Sequence, residues 1–240
     1  MNIPFKIIYR RVKYARLEFK GLQLLVILPF DVKDPSKVLE RGEVWIERHW
    51  KIIQEAVKQV ESQDGFRIFG EPYTIEYINN GYSRVNFTDK RIYLSCGDPK
   101  SYFRILHQLK WILKVKVESI IGDYSLRFKF KPNRILIWRQ KTKWGNCSSK
   151  GNITLNLKLV CLPEHMVRYV VFHELTHLKF KGHSREFWRT INMEFPNHKE
   201  LERELYKYWF ITEILFQNLT KHSHNPRPKT HIKRGPPLKV

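Results

Sequence analysis

Residues 173–177 read His-Glu-Leu-Thr-His, and Gly182 and His183 follow a few positions later. On an α-helix two residues four apart lie one turn apart on the same face, so His173 and His177 can grip one metal ion between their imidazoles. Glu174 sits about 100° further round, beside such an ion and not on it, where a carboxylate can take a proton from water at the metal. The chain must then turn back for a third ligand. Gly182 is read as the point of reversal that returns His183 to the site. Three imidazoles leave a fourth position open, which is the donor set of catalytic zinc and not of closed structural sites. Two plainer readings compete: the histidines are ordinary core residues, or they bind a metal without turnover.

The positions around this segment give an α+β pattern. Stretches 5–12, 14–19 and 22–28 read as short strands broken at Lys13 and Gly21, and predict a small antiparallel meander. Val38, Val44, Trp45, Trp50, Ile53 and Val57 recur at three- and four-residue spacing over 35–63, which predicts an amphipathic helix with an interruption at Gly42. Strands return over 66–95. Asp98-Pro99 opens a helix to about Ile121, since Asp caps and Pro suits the first turn. Strands 127–130 and 134–139 follow, then a hairpin over 142–158 turning at Ser148-Ser149-Lys150-Gly151. A helix from Leu162-Pro163 to about Phe180 carries the two-histidine turn. Ser184 caps another helix through Met193, and a last one runs from His198 to about Phe216. Residues 217–240, with four Pro and six basic residues against no acid, read as a basic tail without a fixed fold. The division is therefore 1–97, β-rich with one helix; 98–216, catalytic; and 217–240, tail. Little linker composition near residue 97 favours a core shared by the first two.

Charge sets the other constraint. The formal net charge is +21, concentrated in residues 100–150 (13 basic, 2 acidic) and at the two ends, while 151–216 is nearly balanced at 9 against 8. Such a bias suits non-specific contact with nucleic acid through released counterions, or merely a solvated cationic surface. No apolar run is long enough to span a bilayer. The first residues lack the charged, apolar and small-residue order of a signal peptide, so a soluble cytoplasmic protein is expected. Cys96, Cys147 and Cys161 form no C-x-x-C pair and read as reduced thiols, Cys147 as a packing residue.

The stretch Lys141-Thr-Lys-Trp-Gly-Asn-Cys-Ser-Ser-Lys-Gly-Asn-Ile-Thr-Leu-Asn156, then Leu162-Pro163, Tyr169 to His177, and His183-Ser-Arg-Glu-Phe-Trp188, closely resembles the YgjP-like metallopeptidases. These are related to the SprT/Spartan-type and WLM-type zinc proteases of the zincin clan. The resemblance spans most of 5–210 and is dense in 134–196. It implies a zincin-like fold, a twisted mixed sheet packed on the active-site helix, with a Zn2+ cofactor held by His173, His177 and His183 and with Glu174 as catalytic base. The substrate would be a protein or peptide, an edge strand of the 142–158 hairpin receiving it; an ordinary sheet strand with Trp144 in the core is the plainer reading. Asn146 and Lys143 depart from the family's usual Ser and Arg. Phe180 stands where the metzincins, which share the spacing to His183, have Gly. Thermolysin-like enzymes take a Glu from a later helix, which makes Glu194 and Glu200 rivals to His183. Tyr169, Arg189, Tyr206 and Tyr208 are candidates to stabilise the oxyanion. The remaining histidines, His49, His107, His165 and His198, and His222, His224 and His231 in the tail, carry no motif. The rival function is a basic nucleic-acid-binding protein with a structural or vestigial metal site, or a protease acting on DNA-bound proteins.

Overall fold

A computed structural model of the chain describes residues 3–62 and 65–221. Strands β1 (Phe5–Tyr9), β2 (Arg16–Lys20) and β3 (Gln23–Leu28) form a sheet in the order β1-β3-β2. β2 and β3 make an antiparallel hairpin, but β1 lies parallel to β3, so the expected meander is not formed. Burial explains the order: Leu24 to Leu28 are all buried, so β3 takes the centre and the more polar β1 and β2 take its edges. Helix α1 (Ser36–Glu61) is continuous through Gly42. A methyl group at Gly42 would come within 2.2 Å of Leu17 Cδ1. That glycine therefore serves close helix–sheet approach and not a break.

Strands β4 (Phe66–Ile68), β5 (Glu71–Ile78), β6 (Arg84–Asn86) and β7 (Arg91–Ser95) form a second sheet in the order β4-β5-β7-β6, with β5 and β7 parallel. Helix α2 (Ser101–Phe128) runs past Gly122 into the segment expected as strand 127–130, which forms no strand. Its last turn is held by packing: Tyr124 and Phe128 each place their rings 4.8 Å from that of Phe172. Lys129, in the left-handed conformation, ends the helix with its N–H donating to Ser125 O.

The third sheet, β8 (Arg134–Trp138), β9 (Gly145–Cys147) and β10 (Asn152–Asn156), has the order β8-β10-β9, so β9 is an edge strand. A 3-10 turn over Leu157–Cys161 replaces the end of the expected hairpin strand. Helix α3 (Glu164–Thr176) packs against β9 and β10, followed by α4 (Arg185–Glu194) and α5 (His198–Lys221). Ser184 caps α4, its Oγ accepting from Phe187 N at 3.3 Å. α5 enters the segment expected as tail because Leu219 is fully buried; residues 222–240, with His222, His224 and His231, lie outside the described residues.

The result is an α+β fold in which a mixed sheet lies along the helix bearing the histidine turn. One core runs from Ile53 to Leu219, joining β4, β7 and α2 to α3, α4 and α5 without a break at residue 97. A smaller one, Ile3, Leu24, Val26, Leu28 and Ile46, joins the first sheet to the start of α1. Among the described residues no helix is long and apolar enough to cross a membrane.

Candidate metal centre

Helix α3 carries the site because its opposite face is apolar: Met166, Val167, Val170, Val171, Phe172 and Leu175 are buried, which fixes the rotation that presents His173 and His177 on the remaining side. The helix ends at Thr176, earlier than expected, with His177 as its C-cap still in right-handed helical conformation. The one-turn relation of the two imidazoles therefore survives, their ring centres 5.0 Å apart. The chain reverses through tight hydrogen-bonded turns, Leu178 N to Leu175 O (2.9 Å) and Phe180 N to Thr176 O (3.1 Å). Gly182 is not in the left-handed region, and nothing lies within 4 Å of where its Cβ would be. Its expected role as the point of reversal is not what the structure shows, since the turns upstream already redirect the chain.

His183 nonetheless comes back. The ligand atoms of His173, His177 and His183 lie within 4.8 Å of one another, the one such cluster of three or more metal-ligating side chains among the described residues. Nε2 of His183 is 3.2 Å from Nε2 of His173. His177 Nδ1 is 3.0 Å from Phe180 O, and with the proton on Nδ1 that contact directs Nε2 toward the cluster. Phe187 backs all three rings, stacking on His177 at 4.6 Å, and Trp188 stacks on the exposed His183 at 5.5 Å. These two aromatics follow directly from the capped start of α4. Burial, reinforced by the two neighbouring imidazoles, brings His173 down to about 3, and burial also lowers His177. Both are therefore neutral near pH 7, the form that donates to a metal.

Glu174 is 7% exposed, and among the described residues no cation pairs with it. Burial pushes its carboxyl up to about 7, with Lys143 opposing from nearby. Gly145, first residue of the edge strand, lies directly on it: a Cβ there would be 2.8 Å from Glu174 Cγ and Oε1. Gly145 thus admits the carboxylate where any larger residue would crowd it. Gly145, Phe187 and Trp188 stand in the family-like stretches without an assigned role; the Trp144-Gly145 pair within the expected 142–158 hairpin was the one signal for the first.

The rival ligands lie elsewhere. Glu194 accepts from both guanidinium nitrogens of Arg127, and Glu200 is exposed beside Arg203. Of the four oxyanion candidates, Tyr169 has its ring 6.1 Å from that of His173, though its hydroxyl donates to Glu202. Tyr206 packs on His49, Tyr208 lies toward Arg67 and Glu204, and Arg189 is exposed on α4. Cys147 is half-buried, and desolvation raises its thiol, consistent with packing and not with attack.

The sequence profile of the family described as YgjP-like, metallopeptidase domain, matches residues 13–208. Among solved structures, the metallopeptidase zymogen of Pyrococcus abyssi abylysin is similar at 29% identity, covering 37% of this chain and 90% of that one with a TM-score of 0.35. The metallopeptidase zymogen of Methanocaldococcus jannaschii jannalysin is similar at 28% identity, covering 39% and 92%, with a TM-score of 0.33. No curated protein matches the chain.

Proposed function

The chain belongs to the YgjP-like family of metallopeptidases, and from that premise we propose that it hydrolyses peptide bonds with zinc held by His173, His177 and His183 and with Glu174 as general base. The observation that carries this reading is the convergence of three imidazoles within 4.8 Å of one another, next in sequence and space to a buried carboxylate. The donor set suits the ion. Neutral imidazoles without thiolates fit zinc, and two nitrogens each about 2.0 Å from a tetrahedral ion stand about 3.3 Å apart. The 3.2 Å between His173 and His183 agrees with that spacing. When bound, zinc supplies Lewis acidity, lowering the pKa of water from about 15.7 to about 7 and polarising the scissile carbonyl.

The chain's own groups do the rest. Glu174 receives the proton of the attacking water on its carboxylate and delivers it to the leaving amine nitrogen. In the metal-free protein burial raises this carboxyl, and a poorly solvated carboxylate is a stronger base than one in water, which suits it to both transfers. Gly145 leaves room for the carboxylate, and the outer edge of β9 offers main-chain donors and acceptors to an extended peptide. The three cysteines, all free thiols, support a reducing compartment such as the cytoplasm. Elemental analysis combined with a casein-type assay tests the reading. One zinc per chain and activity abolished by chelator and restored by zinc are expected; metal-independent proteolysis, or metal without proteolysis, would refute it.

One observation favours a second activity beside the first. Phe103, Lys110, Trp111 and Lys114 share the outer side of α2, and Lys110 lies 5.0 Å from the ring of the exposed Trp138. Exposed aromatics interleaved with cations suit stacking and phosphate contact with single-stranded nucleic acid. Affinity for an oligonucleotide falling steeply with salt is the expected result, and no binding at low salt removes this reading.

A further inference from the structure

We propose that the cleft between the first sheet and the loop preceding β9 is a substrate site that receives an acidic segment of the peptide on one side of the scissile bond. The inference rests on the peptidase reading and adds to it a substrate class. The cleft has a volume of about 810 Å³. One wall is the side of the first sheet that turns away from α1, with Ile8 and Leu25; the other combines the 139–144 loop with α5, where Trp144 and Trp209 meet edge to face at 5.0 Å.

Its charge is lopsided. Arg10 and Lys20 stand on the first wall, Arg139 and Lys141 on the second, against Glu18 and Glu213. Glu213 is already engaged by Lys158, whose side chain is 3% exposed and whose ammonium also lies 3.9 Å from the Trp209 ring centre. That pair is internally neutral, which leaves four cations against Glu18. Among the described residues Arg10, Lys20, Lys141 and Arg139 make no ion pair; Arg139 donates to the Tyr102 hydroxyl at 2.9 Å and lies 5.5 Å from the Phe216 ring centre, neither of which neutralises its charge. Cations facing one another across a concave, partly apolar gap focus a positive potential into it, and an anionic occupant relieves their mutual repulsion.

Position makes that occupant a peptide. Trp144 lines the cleft, and the next residue, Gly145, lies on Glu174. A chain laid along β9 advances about 3.3 Å per residue, so the stretch opposite Trp144 to Lys141 is reached within about four residues of the one opposite Gly145. Carboxylates two to five positions from the cleaved bond therefore come between the two walls. A nucleic acid strand has no peptide N–H and C=O groups to continue the ladder of β9.

The test uses fluorogenic peptides of one neutral core sequence, carrying two adjacent Glu or two adjacent Lys at the third and fourth positions on either side of the cleaved bond. Metal-loaded protein should show kcat/KM about tenfold higher for the acidic than for the basic peptide on one side only, mostly through KM, with the gap narrowing as salt rises. In the double variant Lys20→Glu, Lys141→Glu the acidic-to-basic ratio should invert. Lys20→Gln with Lys141→Gln should flatten the ratio and serves if the reversal variant does not fold. Equal kcat/KM for acidic and basic peptides, with cleavage intact, overturns the inference and leaves the peptidase standing. If no peptide is cleaved by metal-loaded protein, the peptidase reading fails, and fluorescence anisotropy of a labelled acidic peptide on the Glu174→Gln protein decides the site separately. Salt-sensitive binding that the Lys20/Lys141 reversal abolishes supports it, and absence of binding overturns it. Displacement of that peptide by a single-stranded oligonucleotide of equal charge at lower concentration also overturns it.

Discussion

Gly145 and Gly182 flank the same site and differ in what they permit. A Cβ at Gly145 falls 2.8 Å from the Glu174 carboxylate, whereas one at Gly182 meets nothing within 4 Å. Gly145→Ala should keep the metal and the fold but displace the base, lowering kcat by about 10²-fold, as misplacement of a reacting group by about 1 Å can do. Gly182→Ala should leave kcat and Tm close to wild type. Steady-state kinetics at matched metal content distinguishes the two. Glu174 also sets a stability prediction for the metal-free protein. Burial raises its folded pKa to about 7 from 4.5, so the fold favours the protonated form. That contribution is complete below pH 4.5 and disappears as pH rises through 7. Glu174→Gln should therefore be more stable than wild type at pH 8 by about 3 kcal/mol and equal to it near pH 4, read by urea denaturation in chelator. The histidine turn was legible in the sequence because residues four apart on a helix meet by local geometry alone. Gly145 was not, because its role arises only when β9 reaches α3, a contact that tertiary packing creates.

Among the elements, β9 depends on contacts from outside it. It is three residues long, and the loop before it is tied down by Asn156 at the end of β10. The Asn156 amide donates to Gln140 O (3.0 Å) and Lys143 O (2.7 Å), while its carbonyl oxygen accepts from Lys158 N (3.2 Å). Asn156→Ala strands these partly buried groups and should cost about 1–3 kcal/mol in urea denaturation. It should also reduce kcat, since Gly145 follows the loop it releases. The start of α3 and both ends of α4 were readable from Pro163, Ser184 and Pro196, each of which acts on its neighbours. The parallel pairing of β1 with β3 was not, because it depends on which strand is buried on both faces. Nor was the passage of α2 beyond Gly122, where Phe172 of another helix supplies the packing that local propensity does not.

At the scale of the whole molecule two cores of unequal size are joined along α1, whose Ile46 belongs to the smaller and whose Ile53, Ala56 and Val60 belong to the larger. The first sheet rests on few buried side chains and forms a wall of the cationic cleft. Its amides at 24–28 should exchange with solvent at lower opening free energy than those of 109–121 and 166–175, a difference that hydrogen exchange measures directly. Equal protection would mean that the two cores open as one. The net charge of +21 was legible from composition, but not the clustering of part of it in that cleft, because Arg10 and Lys20 meet Arg139 and Lys141 only once the chain has folded. The central claim is that a carboxylate beside three imidazoles performs proton transfer in peptide hydrolysis. It is tested most directly by kcat/KM of the Glu174→Gln variant on a casein-type substrate, with metal content verified as equal to wild type. The account predicts retained zinc and a loss of about 10²- to 10⁴-fold; wild-type activity at equal metal content would contradict it.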